Sequence, residues 1–404
     1  MAIAYDDFMG HAHTDIGDLS KEDVSQVLDT ILRNDTSFMA GMKKGSPAKN
    51  TTTKWVDEDP QSIELTGTYV AATNVLTISD PATSAGVLLR CRKGAIIQPK
   101  ATPDWIMQFG SDPVTGANTM TVLKGTDADV GSAATFVIIS QPYTDTEDAS
   151  DDISRSRNIR KNFVQIFERA IEITKLRDGI SMHAVANEFA HQTDLRLREM
   201  KDEIDRSLWH SIPADDSGYT ADVERPMMMG FIGYVRDPDL DGTDEDGGNI
   251  VDGADAALTI DVLEDLIRGM DDLGAFTEKG SRDHEFWFPR QQVEKFSALD
   301  GVIRRSEARD KYVGVYKEWY ISASTGLEFP IKTDLNLTRV RPDVIALVDK
   351  ARIEYCWLQG DDMMRSKLAQ TTLRKWKSQV TGSRSMRIRQ PQAGHGLIHS
   401  LSYD

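Results

Sequence analysis

Apolar side chains recur every three or four residues in the middle of the chain and predict one long amphipathic helix. Ser181 to His210 contains neither proline nor glycine, and its apolar positions are Val185, Phe189, Leu197, Met200, Ile204 and Leu208. We predict that this face packs on the chain's own sheet and that 194–206 face solvent or a neighbour. On periodicity alone, an ordinary helix of a helical domain is the better interpretation.

Short β-type runs replace this pattern between about 64 and 145. They lie at 68–70, 75–78, 86–89, 119–123 and 136–139, separated by Gly, Asn, Asp and Pro clusters. A predicted strand at 51–57 precedes them, and an apolar and β-branched run at 162–173 follows them. The sequence therefore predicts a small β module inserted into a larger fold.

The second half alternates helix and strand patterns. A helix is predicted at 259–273, a buried strand at 284–288, and a helix from Pro289 to about 299. Further strands are predicted at 319–323, 344–348 and 353–358. Alternating residues at 368–380 and 385–388 predict a long hairpin around Gly382. This order of elements indicates an α+β fold class.

The first 45 residues are polar apart from one short predicted helix. Ser20 can cap this helix, and its narrow apolar stripe consists of Val24, Val27, Leu28, Ile31 and Leu32. A helix this short is marginal in water, so it must dock on another surface. We expect neighbouring surfaces or neighbouring chains to hold this arm.

Composition narrows the function classes. The 404 residues are 27% charged and 40% hydrophobic, as in globular proteins, and the net charge of −17 argues against a general nucleic-acid binder. Cys91 and Cys356 are far apart, which indicates neither a zinc site nor a disulfide framework. The sequence contains no signal-peptide pattern and no long apolar run, so we expect a chain made in a reducing cytosol, with no membrane partner.

One basic stretch stands out in this acidic chain. Its residues are Arg374, Lys375, Lys377, Arg384, Arg387 and Arg389. Two interpretations stay open. The favoured one is pairing with acidic neighbours between subunits, and the other is non-specific contact with DNA phosphates.

Candidate catalytic and metal-binding motifs are weak. Asp237, Asp239 and Asp241 match the opening of a calcium loop, but the position of the bidentate Glu is Gly248. A solvated acidic loop is the better interpretation, and the three aspartates are only weak cation candidates. Phosphate-loop, dinucleotide-binding and nucleophile-elbow motifs are absent from the sequence. We therefore predict no cofactor and no enzyme activity.

The order of parts resembles the major capsid proteins of tailed bacteriophages with the Hong Kong 97-type fold, in the branch whose extended loop carries a β insertion. Five segments carry the resemblance: Asp35–Phe38 at the arm exit, Asn50–Trp55 at the start of the extended loop, Asn162–Ile173 where it returns, Asn187–Leu208 as the spine helix and Gly394–Ile398 as the closing strand. Each motif alone is weak, and the combination is specific.

The resemblance implies a domain plan. It consists of an N-terminal arm at 1–45, an extended loop at 46–165 with an inserted β subdomain at about 64–145, a peripheral domain at 166–225 with the spine helix at about 181–210, an axial domain at 226–345, and return strands with a peripheral-domain β hairpin at 346–404. It also implies intersubunit contacts at Phe38, Lys54, Trp55, Asp57, Arg155, Arg157 and Arg160.

The implied function is self-assembly into hexameric and pentameric capsomers of the icosahedral head shell that encloses phage double-stranded DNA. Implied partners are other copies of the chain, a portal, a separate scaffolding protein, a decoration protein and the packaged DNA. The chain would be made in the host bacterial cytoplasm and end in the virion. The alternative is a β-rich adhesin or tail or decoration protein with a cation-binding loop; an unrecognised metal hydrolase is a third, for which ligands are missing.

Overall fold

The computed structural model describes residues 36–58, 63–81, 87, 91–114, 118–124, 129–142, 157–175, 187–211, 226–240, 248–276, 283–299, 319–368 and 375–403. The helices are α1 Ser37–Gly41, α2 Glu188–His210, α3 Phe231–Arg236, α4 Ile260–Asp272, α5 Arg290–Ala298, α6 Leu335–Val340 and α7 Pro391–Gly394. Of the helices in these ranges, none is long and apolar enough to cross a membrane.

The strands of the first half are β1 Lys43–Lys44, β2 Thr52–Asp57, β3 Glu64–Val70, β4 Val75–Asp80, β5 Ile96–Pro99, β6 Met107–Phe109, β7 Thr119–Lys124, β8 Val130–Ser140, β9 Asn158–Phe163 and β10 Gln165–Thr174. Those of the second half are β11 Ile250–Asp252, β12 His284–Phe288, β13 Trp319–Ile321, β14 Glu328–Thr333, β15 Ile345–Asp349, β16 Ile353–Cys356, β17 Met364–Lys367, β18 Lys375–Ile388 and β19 Gly396–His399.

The long helix α2 is confirmed from Glu188 onward, and the predicted residues 181–186 lie outside the described residues. Asn187 is the N-cap of α2, because its side chain accepts a hydrogen bond from the Ala190 N–H at 2.9 Å. Buried Met200, Ile204 and Leu208 face the sheet, as their spacing predicts. The expectation that 194–206 face outward is wrong in part, since Asp202 and Asp205 are buried.

A five-stranded sheet lies against α2, in the order β1-β16-β18-β10 with β17 also paired to β18. Strand β18 runs unbroken past Gly382, which stands opposite Phe167 of β10. The predicted hairpin around Gly382 is therefore wrong. The glycine serves close packing instead, because a Cβ there would lie 3.2 Å from the Met363 Cγ atom.

The second half of the chain builds a six-stranded sheet in the order β11-β19-β15-β12-β14-β13. Strand β15 is buried along its whole length, and its alternate side chains enter two cores. Ala346 and Val348 join the core that also contains α2, while Ile345 and Leu347 join the core under α4. The sheet therefore lies between the two cores and contributes side chains to both.

The inserted β module is a closed barrel with the strand order β3-β4-β7-β6-β5-β8. The predicted runs at 68–70, 75–78, 119–123 and 136–139 fall in its strands, whereas β5 and β6 were not predicted and only Val87 of the run at 86–89 is described. Its core contains Leu65, Tyr69, Phe109 and Phe136, and every residue of that core lies between 65 and 136. We call this unit the barrel.

Strands β2 and β9 form a separate two-stranded antiparallel sheet, which we call the ribbon. The barrel is inserted between these two strands in the sequence. Residue pairs across the ribbon include Trp55 with Arg160 and Val56 with Ile159. We call the rest of the described chain the body.

Candidate functional site

One face of the ribbon is buried on the body. Side chains alternate between the two faces of a strand, so Thr53, Trp55 and Asp57 point inward together. The Trp55 Nε1 atom donates a hydrogen bond to the Ile388 carbonyl at 3.0 Å, and its ring centroid lies 5.7 Å from that of Tyr234. The tryptophan thus joins the ribbon to β18 and α3.

Asn162 ties the ribbon to two other segments through its amide. Its Nδ2 atom donates to the carbonyls of Met229 at 3.1 Å and Met386 at 2.9 Å. Its Oδ1 atom accepts from the backbone N–H groups of Met229 at 2.9 Å and Phe163 at 2.8 Å. With 0% exposure, this side chain has its hydrogen bonds entirely inside the protein. These hydrogen bonds fix the buried face of the ribbon to the body.

Two contacts of charged side chains also hold the buried face of the ribbon on the body. The Arg160 guanidinium, only 1% exposed, pairs with the Asp239 carboxylate, and the Asp57 carboxylate accepts a hydrogen bond from the Gln390 N–H. Burial raises the pKa of the neighbouring Tyr234 hydroxyl well above its usual range, so this group stays protonated. The arginine is buried but the Asp239 side chain is 55% exposed, so the pair joins a buried cation to a carboxylate at the surface.

The cation candidates are therefore divided. Asp239 is engaged by Arg160, Asp237 is buried, and Asp241 lies outside the described residues. Within the described ranges, no group of three His, Cys, Asp or Glu side chains is placed to hold a metal ion.

Phe38 anchors the chain just after the arm. Its ring stacks on Trp209 with centroids 3.8 Å apart and meets Phe231 and Trp287 edge-on at 5.9 and 5.6 Å. The buried Asp205 carboxylate accepts from the Met39 N–H at 2.8 Å. Helix α1 is thereby fixed to the spine helix α2, to α3 and to β12.

The predicted intersubunit residues differ in exposure. Phe38, Trp55, Asp57 and Arg160 are buried within the subunit and contact the chain's own residues, and their contact with a neighbouring copy stays a prediction. These apolar and charged side chains do make the kinds of contact that their chemistry predicts, and their partners in the structure come from distant segments of the same chain. Lys54 and Arg157 are exposed, and Arg155 lies outside the described residues.

The outer face of the ribbon is apolar and basic. Val56 is 60% exposed and Ile159 is 69% exposed, and they stand directly opposite each other. The next pair along is Lys54 with Lys161. Sequence reasoning missed Val56 and Ile159; alternation with Trp55 and Arg160 would have placed both on the other face.

The described side chains of the basic stretch at 374–389 have carboxylate partners inside the subunit, and pairing between subunits stays a prediction. Glu172 binds Lys375 at 2.5 Å and Lys377 at 2.9 Å, and Asp362 binds Arg384 at 2.7 Å. Glu354 binds Arg387 at 3.5 Å and Arg389 at 3.4 Å. These two lysines hold the pKa of the Glu172 carboxyl below its usual value. Arg374 lies outside the described residues.

Comparisons with known proteins agree with this architecture. The fold is similar to the Cyanophage A-1(L) capsid (TM-score 0.55, 9% identity, 95% of this chain and 98% of that chain) and to the capsid of the native GTA particle (TM-score 0.53, 9% identity, 95% and 96%). It is also similar to the capsid of Cyanophage P-SCSP1u (TM-score 0.50, 8% identity, 96% and 95%). At these identities the likeness shows the fold alone.

No curated protein matches the sequence. A sequence model of one family, described as SU10 major capsid protein, matches residues 10–402. Because this match spans nearly the whole α+β chain, the chain belongs to the SU10 major capsid protein family, whose members are shell-forming structural proteins and not enzymes.

Proposed function

We propose that copies of this chain assemble into hexameric and pentameric capsomers of the icosahedral head shell that encloses phage double-stranded DNA. The observation that carries the proposal is the ribbon, whose inner face is fixed to the body while its outer face exposes Val56 and Ile159. Exposed apolar side chains beside lysines are typical of a surface that a partner covers.

The proposed domain plan is the one that the family resemblance implies. Residues 1–45 form the arm, 46–165 the extended loop with the barrel, and 166–225 the peripheral domain around α2. The axial domain, at 226–345, shares its six-stranded sheet with β15 and β19 from the return strands at 346–404. Support for this plan comes from the insertion of the barrel between β2 and β9 and from the packing of α2 on β10 and β18.

Lys54 and Arg157 are the predicted intersubunit contacts that the fold leaves exposed. Contact with the packaged DNA is proposed for the partly exposed Lys375, Lys377 and Arg389, as non-specific attraction that their carboxylate partners weaken. The further proposed partners are a portal, a separate scaffolding protein and a decoration protein. Synthesis is proposed to occur in the host bacterial cytoplasm.

The test is negative-stain microscopy of the purified full chain, alone and with a co-expressed scaffolding protein from its own genome. We expect closed shells or rings of five and six copies. Discrete trimers or monomers under both conditions would contradict the proposal and favour the adhesin or decoration alternative. As a matched pair, Val56→Asp should block assembly, while Ile139→Asp on the barrel surface, where the isoleucine is 51% exposed, should leave shells intact.

A further inference from the structure

The C-terminal part of the chain crosses twice between the two large sheets. Residues 350–352 lead from β15 of the six-stranded sheet to β16 of the five-stranded sheet, and residues 389–395 lead from β18 back to β19. The two crossings are bonded to each other, because the Arg389 N–H donates to the Arg352 carbonyl at 3.0 Å. We call residues 349–352 and 389–395 together the junction. Its contacts help to set the orientation of one sheet relative to the other.

Two buried histidines lie at the junction. His395, with 0% exposure, is the last residue of the second crossing, and its ring meets Phe231 of α3 edge-on at 5.4 Å. His284 begins β12, is 3% exposed and stands opposite Asp349 of β15. Its ring meets that of Phe276 edge-on at 4.9 Å. Both imidazoles are therefore shielded from water, and a proton on either of them is costly.

One hydrogen bond makes the junction sensitive to protons. The Nδ1 atom of His395 accepts from the Asp349 N–H at 3.2 Å, which joins the second crossing to the end of β15. An imidazole nitrogen can accept a hydrogen bond only while it carries no proton. A proton on this nitrogen would place two donors face to face, so the hydrogen bond would break.

Burial outweighs the charged groups that face the two histidines. It lowers the pKa of the His284 imidazole, although the Asp349 carboxylate raises that pKa. Of the weaker influences on His284, Arg352 lowers its pKa and Asp283 raises it. Burial also lowers the pKa of His395 to about 3, and the neighbouring His284 and Arg352 act in the same direction. The two imidazoles repel each other when both are charged.

We propose that the junction is a pH-sensitive joint, which opens when His284 and His395 take up protons. In the open form the two crossings separate, while each sheet keeps its own strands paired. The consequence is a subunit whose two sheets change their relative orientation in acid. The joint is a property of the single subunit and does not depend on assembly into a shell.

The direction of the pH effect follows from proton binding. In the open form the imidazoles are exposed and titrate near their ordinary pKa of about 6.5, so they bind protons more tightly than in the closed form. The closed form is therefore favoured above that pH and loses stability relative to the open form as the pH falls. Between pH 7.5 and pH 5.5, His395 alone should raise the opening equilibrium about tenfold, and His284 should raise it further.

Hydrogen exchange of the full chain, resolved to single amides and corrected for intrinsic rates, tests the joint. The reporters are the N–H groups of Asp349 and Arg389, which donate to His395 and to Arg352. We expect their exchange to rise at least about tenfold from pH 7.5 to pH 5.5 and to be insensitive to dilute urea, because a local opening exposes little surface. No rise, or a rise that occurs only through urea-sensitive unfolding of the whole body, overturns the proposal.

Glutamine substitutions supply the second readout. In His395→Gln the amide oxygen can still accept from the Asp349 N–H but does not titrate, so the pH response of the reporters should shrink at least about tenfold. His284→Gln gives a second variant if the first does not fold, and circular dichroism at pH 7.5 checks each one. His399→Gln is the matched control, because His399 is a partly exposed histidine of β19 outside the junction, and it should keep the full response. An undiminished response in the folded variants at 395 and 284, or an equal loss in the control, contradicts the proposal.

Discussion

The barrel and the body bury similar kinds of side chain, but the residues of the two cores are distributed differently along the sequence. Among the described residues, the buried side chains of the barrel core lie between residues 65 and 136, with Ile138 packed against them, while the main body core runs from Phe38 to Leu397. A core that shares no residue with its surroundings can be inserted between two strands without disturbing them. The body has no such independence, since its central contacts join the arm anchor, the spine helix and the C-terminal strands.

The ribbon connects these two regions and belongs energetically to the body. Its buried face is held by Trp55, Asn162 and Arg160, each bonded to a segment far away in sequence. We expect the barrel to unfold as a separate unit, whereas loss of a central body contact should affect everything from the arm anchor to β19.

Trp209→Ala should have the largest effect, because it removes the ring that joins Phe38, Phe231 and Trp287. We expect a loss of roughly 4–5 kcal/mol in the free energy of unfolding of the body. Denaturant unfolding followed by circular dichroism measures it. Trp319→Ala, at a tryptophan that is 50% exposed, is the control and should change stability little. Equal effects of the two would show that the aromatic cluster does not organise the body.

Phe136→Ala should destabilise the barrel by about 3–4 kcal/mol, since the ring is fully buried in the barrel core. Hydrogen exchange should rise in peptides from 64–140 and stay unchanged in peptides from α2 and β15. Ile139→Ala in the same strand, 51% exposed, serves as the matched control. Faster exchange in α2 would break the comparison, because it would mean that the two cores unfold together.

Glu264→Gln should lower the free energy of unfolding of the body by about 2–3 kcal/mol, because it removes a carboxylate that accepts several hydrogen bonds. Although burial opposes ionisation, hydrogen bonds from Ser324, Tyr320, the Ala323 N–H and Ser322 lower the pKa of this carboxyl to about 2. A glutamine has one acceptor oxygen and cannot satisfy these donors. Thermal unfolding measures the loss, and Glu168→Gln on the exposed side of β10 is the control. No difference between the two variants would refute the assigned role.

Acid should weaken the body before the barrel. Burial lowers the pKa of His210 to about 4 and of His395 to about 3. The folded state therefore binds fewer protons than the unfolded state, whose histidines titrate near 6.5, so stability falls as pH drops below that value. Between pH 7 and pH 6, protonation of these two histidines in the unfolded state should lower the free energy of unfolding by about 1–2 kcal/mol.

The barrel provides the internal control for this pH effect, since residues 64–140 contain no histidine. Hydrogen exchange at pH 7 and pH 6, corrected for intrinsic rates, should show weaker protection in 345–399 and no change in 64–140. His395→Gln should reduce the pH dependence of the body if it still folds, and His210→Gln gives the same readout at a second position. An equal pH effect on both units would argue against histidine as the cause.

Several elements were predictable because local spacing encodes them. Helix α4 begins at Ile260 and is capped by Thr259, and β12 occupies the predicted 284–288, since amphipathic periodicity and capping depend only on nearby residues. The family resemblance was also readable from the order of short segments. Strands β5 and β6 were missed because each is only three or four residues long and gains its pairing inside the closed barrel.

The sequence by itself determined the periodic elements, the acidic composition and the order of parts that marks a capsid protein. Only the tertiary structure decided that Phe38 and Arg160 lie inside the subunit, that β18 passes Gly382 without a turn, and that the basic side chains of β18 pair with Glu172, Asp362 and Glu354. The physical reason is that burial and ion pairing depend on partners from distant positions. Local spacing places a side chain on a face of its element, and packing chooses what that face meets.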